Sequence, residues 1–98
     1  MIKYLENNNL EEETKEGITL VDFYADWCGP CQMLTPILEE LQGIKIIKVD
    51  IDKFGDLATT YGIMSIPTLI FFKDGKEVKK EIGFRNKEEI EEIINSIK

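Results

Sequence analysis

Histidine is absent from this chain. No imidazole is therefore available as a general base near neutral pH, as a metal ligand or as a counter-ion for a thiolate. Cysteine occurs only twice, at Cys28 and Cys31. Two cysteines without histidine fall short of the four nitrogen and sulfur ligands usual in a tetrahedral structural zinc site, and only carboxylates remain to complete one. Arginine occurs once, as Arg85, and acidic residues outnumber basic ones by 19 to 12, for a net charge of −7. That balance argues against a nucleic-acid partner. No apolar run approaches the length of a membrane-spanning helix, and Met1 to Asn9 lack the hydrophobic stretch of a signal peptide. The expectation is a cytosolic chain without membrane association. With 43% hydrophobic and 32% charged residues, residues 1–98 read as a single soluble globular domain.

Against these absences stands Trp27-Cys28-Gly29-Pro30-Cys31. Two cysteines three positions apart close a disulfide ring too small to constrain much of the unfolded chain, so a purely structural bridge gains little. In the cytosol a cysteine pair is more often catalytic than structural. An apolar, β-prone run from Ile18 to Tyr24 leads into the pair, and Met33, Leu34, Ile37, Leu38 and Leu41 leave it at helical spacing. The dithiol thus lies on the first turn of a helix. There the dipole and the free backbone N–H groups stabilise a thiolate, and a resolving thiol stands beside it. The chemistry indicated is dithiol–disulfide exchange.

The remaining pattern is regular. Ile2 to Leu5 reads as a short edge strand and Asn9 to Lys15 as a polar helix. Ile18 to Tyr24 reads as a central strand. A helix runs from Cys28 to about Gln42, with a kink expected at Pro36. Ile44 to Ile51 is β-branched enough for a buried strand, and Phe54 to Tyr61 forms a short helix ending at Gly62. Thr68 to Phe72 and Lys76 to Ile82 flank Asp74-Gly75, a hairpin signal. Asn86 with Glu89 predicts a capping box for a last helix whose buried stripe is Ile90, Ile93, Ile94 and Ile97. This order argues for a mixed sheet with helices on both faces. Asp22 interrupts the apolar strand Leu20-Val21-Asp22-Phe23-Tyr24. Alternation alone leaves open whether it faces solvent or is buried near the dithiol as a base. Trp27, at a turn beside the thiols, reads as a shield and substrate contact.

From Ile18 to Ile97 the chain resembles the thioredoxin family. The likeness rests on the Trp27–Cys31 motif and on Gly62-Ile63-Met64-Ser65-Ile66-Pro67-Thr68, similar to the family's cis-proline loop. Lys73-Asp74-Gly75-Lys76 is similar to its hairpin turn, and Glu81-Ile82-Gly83 to the strand end beside its active site. The resemblance implies an α/β fold with a central mixed sheet of four to five strands flanked by helices on both faces. The segment between Pro36 and Lys48 is shorter than expected, which removes about a turn from the far end of the second helix.

The resemblance also implies roles. Cys28, the more exposed thiol, is the nucleophile and Cys31 the resolving thiol. Asp22 is a buried base with a raised pKa, tuned by Lys48 on the neighbouring strand. Gly29 and Pro30 set the properties of the pair, and Gly-Pro between the cysteines goes with reducing members. Trp27, Ile66, Pro67 and Gly83 bind substrate, with Ile66-Pro67 a cis bond that leaves the Ile66 backbone free to pair with an extended chain. Gly29, Pro30, Ile51, Ile63, Ile66 and Ile82 are candidates for an apolar patch around the sulfur, with ordinary core the alternative for some of the isoleucines, Ile63 and Ile51 above all. Gln32 stands where many members carry a basic residue. The function implied is reduction of protein disulfides by a monomer that binds no cofactor or metal and is recycled by a dedicated reductase, a flavoenzyme using NADPH. The rival readings are an oxidant or isomerase, a glutaredoxin-like protein, and a non-redox scaffold.

Overall fold

Five strands and four helices alternate along the chain. In the computed structural model, which describes residues 1–98, the order is β1 (Ile2–Tyr4), α1 (Leu10–Thr14), β2 (Ile18–Tyr24), α2 (Gly29–Glu40), β3 (Lys45–Asp50), α3 (Gly55–Thr60), β4 (Thr68–Lys73), β5 (Lys76–Ile82) and α4 (Lys87–Ile97). The strands form one sheet in the order β1-β3-β2-β4-β5. β3 runs parallel to β1 and β2, whereas β4 runs antiparallel to β2 and β5. The sheet is therefore mixed, with β2 at its centre.

Alternation along the strands separates two apolar layers. Leu20, Ile46, Leu69 and Phe71 pack against Leu34 and Leu38 of α2 and Ile90 and Ile94 of α4. Their neighbours Val21, Phe23, Ile47, Val49, Ile70 and Phe72 pack against Leu10 of α1 and Leu57 of α3. Each fully buried Leu, Ile or Phe contributes about 1.5–3 kcal/mol of transfer free energy, so the layers hold the helices on opposite faces. Even-numbered residues of β2 and β3 face α2. Asp22 and Lys48 belong to that set and lie opposite each other in the β2/β3 register.

Local chemistry ends the elements. α2 continues through Pro36 and stops at Glu40, two residues before the expected end. Met33 does not join the buried stripe of α2; it is exposed, because one residue of an adjacent pair turns outward as the helix winds. α3 ends in Gly62 at φ +67°, with Gly62 N–H donating to Thr59 O and Ile63 N–H to Ala58 O. This is a Schellman closure, for which the left-handed residue is best a glycine. It turns the chain into the loop that approaches the cysteines. Asp74 and Gly75, both at positive φ, join β4 to β5 as the hairpin signal predicts.

α4 begins with the predicted capping box: Asn86 accepts from Glu89 N–H at 2.8 Å, and the Glu89 carboxylate accepts from Asn86 N–H at 3.0 Å. Asn86→Ala removes one half of that exchange. We expect it to cost about 1 kcal/mol and to lower Tm by about 4–8 °C in a thermal melt, with the dithiol chemistry unchanged. A melt superimposable on that of the parent would show that the box does not hold the helix.

Candidate active site

β2 delivers the chain to the redox motif. Its last residues lead to Ala25, which is buried, while Asp26 and Trp27 turn outward. Cys28 N–H donates to Ala25 O at 3.2 Å, closing the turn. Cys28 is in extended conformation as the N-cap of α2, and its sulfur accepts from Cys31 N–H at 3.2 Å. One of the helix's unsatisfied donors is thus aimed at sulfur. Pro30 occupies the first turn, where its missing N–H and fixed φ cost nothing. Cys28 and Cys31 form a disulfide with Cα atoms 5.2 Å apart. Cys28 is 6% exposed and Cys31 1%, the order expected for an outer and an inner sulfur. Gly29 and Pro30 are exposed, and a side chain at Gly29 would meet nothing within 4 Å.

The loop after Gly62 brings a second backbone to the outer sulfur. Ile66-Pro67 is cis, and Ile66 O lies 3.9 Å from Cys28 Sγ, a contact without a proton because the sulfur is in the disulfide. The Ile66 N–H has no hydrogen-bond partner. Gly83, at φ +95°, donates its N–H to Pro67 O at 2.7 Å, which ties the end of β5 to this loop. Trp27 is 70% exposed, and its indole N–H is anchored on Asp52 Oδ2 at 2.8 Å. The Gln32 amide donates to Asp26 O at 2.7 Å.

The structure separates the candidates for the apolar patch. Ile63 packs on the α1/α3 layer and Ile51 on both that layer and the cysteine cluster, because each sits where a strand or loop turns back over the sheet. Both are half-buried. Ile82 is exposed as expected. Met64, on the Ile66 loop, is 97% exposed and was not singled out by sequence, since an irregular loop has no periodicity to distinguish a surface methionine.

On the α2 side of the sheet lies a buried charge pair. Asp22 is fully buried, which excludes the outward-facing alternative, and Lys48 is 2% exposed. Lys48 Nζ donates to Asp22 Oδ2 at 3.0 Å and to Thr35 Oγ1 of α2 at 3.0 Å. Asp22 Oδ1 is buried and carries no hydrogen bond. Burial pushes the Asp22 carboxyl above its ordinary value, and the charge and hydrogen bond of Lys48 pull it part of the way back. The ammonium also sits over the ring of Tyr24, 4.5 Å from its centroid, and 5.9 Å from that of Tyr4. Thr35, Tyr24 and Tyr4 were not read as site residues; each is ordinary in its own element, and only the fold brings them to one cation.

A cleft of about 200 Å³ lined by Cys31, Thr35, Lys48, Tyr24 and Asp26, among others, opens beside this pair. Two larger hollows, of about 530 and about 510 Å³, lie along α1 and around the start of α3 and touch neither cysteine. Depth is a poor guide here, because an extended protein segment is held by backbone pairing and not by engulfment. No cluster of three or more His, Cys, Asp or Glu side chains is placed to hold a metal ion, and no helix is long and apolar enough to cross a membrane.

A family model described as Thioredoxin matches residues 1–96. A thioredoxin from Listeria monocytogenes is 47% identical over 100 residues, covering 97% of this chain and 97% of the relative. A thioredoxin from Bacillus subtilis is 46% identical over 94 residues, covering 91% and 90%. Among solved structures, a mutant thioredoxin from Halobacterium salinarum matches with a TM-score of 0.90 at 37% identity, covering 97% of this chain and 88% of that one. With a sheet of this order, a disulfide on the first turn of α2 and these likenesses along nearly its whole length, the chain belongs to the thioredoxin family of thiol–disulfide oxidoreductases, and Cys28–Cys31 is its redox-active disulfide.

Proposed function

We propose that the chain works as a reductant of protein disulfides in the cytosol, as a monomer, and is returned to the dithiol by a flavoenzyme reductase drawing on NADPH. The observation that carries this reading is the meeting of two features at one sulfur. Cys28 Sγ stands at the N-terminus of α2, and the unpaired backbone of Ile66 lies beside it. An extended substrate can pair with Ile66 and present its disulfide to the thiolate, with Trp27, Pro67 and Gly83 framing the approach.

In the forward reaction the Cys28 thiolate attacks one sulfur of a substrate disulfide. A Cys28–substrate bond forms, the substrate S–S bond breaks, and one substrate thiolate leaves. Cys31 then attacks Cys28 Sγ, forming the internal disulfide and releasing the second thiolate. Two electrons have passed to the substrate. The inner sulfur is nearly excluded from water, so its proton needs a local acceptor. Asp22 fits this role. It shares the α2 side of the sheet, one of its oxygens is free, and burial raises its basicity. Lys48 offsets part of that rise through its charge and its hydrogen bond. Gly29 has no side chain and Pro30 no N–H to donate to sulfur, and Gly-Pro between the cysteines goes with the reducing members of the family, which supports a reducing direction.

Cys31→Ser removes the resolving step. We expect it to accumulate covalent adducts with protein partners, reversible by added dithiol and visible on non-reducing gels; recovery of none from a reducing cell extract would count against the mechanism. Equilibration of the pair with glutathione tests the direction: the reductant reading requires Cys28–Cys31 to be the more reducing couple, and a less reducing pair would mean an oxidant or isomerase.

Asp22 makes a stability prediction with a definite sign. Its carboxyl is raised in the folded state, so between the ordinary value of 3.8 and the folded value the native protein binds more protons than the unfolded chain. Stability contributed by this group is present at low pH and is lost as pH rises through that window. The stability of Asp22→Asn minus that of the parent, from urea titrations of the oxidised proteins, should therefore increase with pH above 3.8 and then level off. A difference independent of pH would mean that Asp22 is not shifted. The same variant should release substrate more slowly from the mixed disulfide.

A further inference from the structure

Lys48 is the one cation enclosed in the α2 side of the sheet. An ammonium has three N–H donors and no acceptor, so its position is set by what accepts from it. Two of its partners are oxygen atoms, Asp22 Oδ2 and Thr35 Oγ1, both at 3.0 Å. Thr35 is further constrained, because its hydroxyl lies 3.4 Å from Cys31 O, the carbonyl one turn earlier in α2. A threonine hydroxyl that donates back along its helix keeps its lone pairs for another donor. The order of hydrogen bonds is then Cys31 carbonyl, Thr35 hydroxyl, Lys48 ammonium, Asp22 carboxylate.

We propose that Thr35 is a positioning residue: its hydroxyl fixes the Lys48 ammonium against Asp22 and fastens that pair to the helical turn that carries Cys31. This rests on the reading of Asp22 as the base for Cys31. The groups around the pair leave Thr35 as the only neutral side-chain oxygen bonded to the cation. From β1 comes Tyr4 and from β2 Tyr24. Burial and the nearby Asp50 and Asp26 push the Tyr24 phenol up to about 12, so it offers a ring face and no anion. α2 contributes Cys31, held in the disulfide. β4 and α4 contribute the apolar Leu69, Ile90 and Ile94.

The direction of the effect follows from the available space. The cleft of about 200 Å³ beside Lys48 is also lined by Asp26. Without the Thr35 acceptor the flexible lysine stem has room to swing there, toward another carboxylate and water. Asp22 then loses the cation that offsets its burial, and its carboxyl rises further. Proton transfer from Cys31 follows the carboxylate form, so its pH dependence moves with it.

The test uses the full chain with the 13Cγ resonance of Asp22 followed through a pH titration, a readout that does not depend on catalysis. Thr35→Val keeps the branched shape and deletes the hydroxyl; Thr35→Ala does the same with a stronger helix former. Both should raise the Asp22 midpoint by about half a pH unit or more, roughly a threefold change in proton affinity. Thr35→Ser should restore the parent value, and Thr35→Val should have no effect once Lys48 is replaced by Met. A midpoint that stays in place, or falls, in folded Thr35→Val and Thr35→Ala overturns the proposal. The pH profile of substrate release in Asp22→Asn keeps the two readings apart. If that profile retains its inflection the base assignment fails, whereas the NMR midpoint still decides whether Thr35 positions Lys48.

Discussion

A helix must place its first N–H groups somewhere, and in this protein one of them goes to a sulfur of the redox-active disulfide. The N-cap of α2 is Cys28, and Cys31 N–H points at its Sγ. That contact makes the helix start and the redox centre one object. The dipole and the free donors that would otherwise be capped by a Ser or Asp are spent on sulfur, where they favour the thiolate. Everything else in the structure holds this arrangement in place. β2 at the centre of the sheet fixes where the turn begins, the α2/α4 apolar layer fixes the helix axis, and the Schellman turn at Gly62 returns the chain to bring Ile66 to the same sulfur.

The second constraint is the charge pair in the sheet. Burial of a lone Asp or Lys costs several kcal/mol, which a good partner only partly offsets. The parallel β2/β3 register sets Asp22 against Lys48, and the aromatic faces of Tyr24 and Tyr4 cover the ammonium without giving it an anion. A packed apolar pair in the same place would be as stable or more so. The polar pair lies on the α2 side of the sheet, tied through Thr35 to the helical turn that carries Cys31. Asp22 and Lys48 are the only charged residues that the chain buries.

The legibility of the sequence varied with the range of the interactions involved. The strands, the hairpin at Asp74-Gly75 and the capping box at Asn86 were readable because each is decided by residues a few positions apart. The dithiol was readable for the same reason, since both cysteines and the helix that activates them are contiguous. Asp22 was ambiguous by alternation, because a central strand buried on both faces gives no polar side from which to judge direction. Thr35, Tyr4 and Tyr24 were missed as neighbours of Lys48; that cluster exists only through pairing of β1 with β3 and packing of α2 on the sheet. Ile51 and Ile63 stayed open between patch and core because apolar type alone does not separate a contact residue from a core residue. Met33 shows the converse at the surface of α2.

The two outer strands of the sheet bear on how such a molecule handles its clients. β1 is three residues long, and β5 is written Lys-Glu-Val-Lys-Lys-Glu-Ile, with a register shift between Phe71 and Phe72 in the strand beside it. Short length, alternating charge and an irregular ladder all discourage another strand from adding to an edge. The hospitable stretch of backbone is instead the unpaired Ile66, next to the sulfur. The sheet thus ends on one side in a strand of three residues and on the other in a strand dense with charge, and its edges are poorly suited to growth by a further strand.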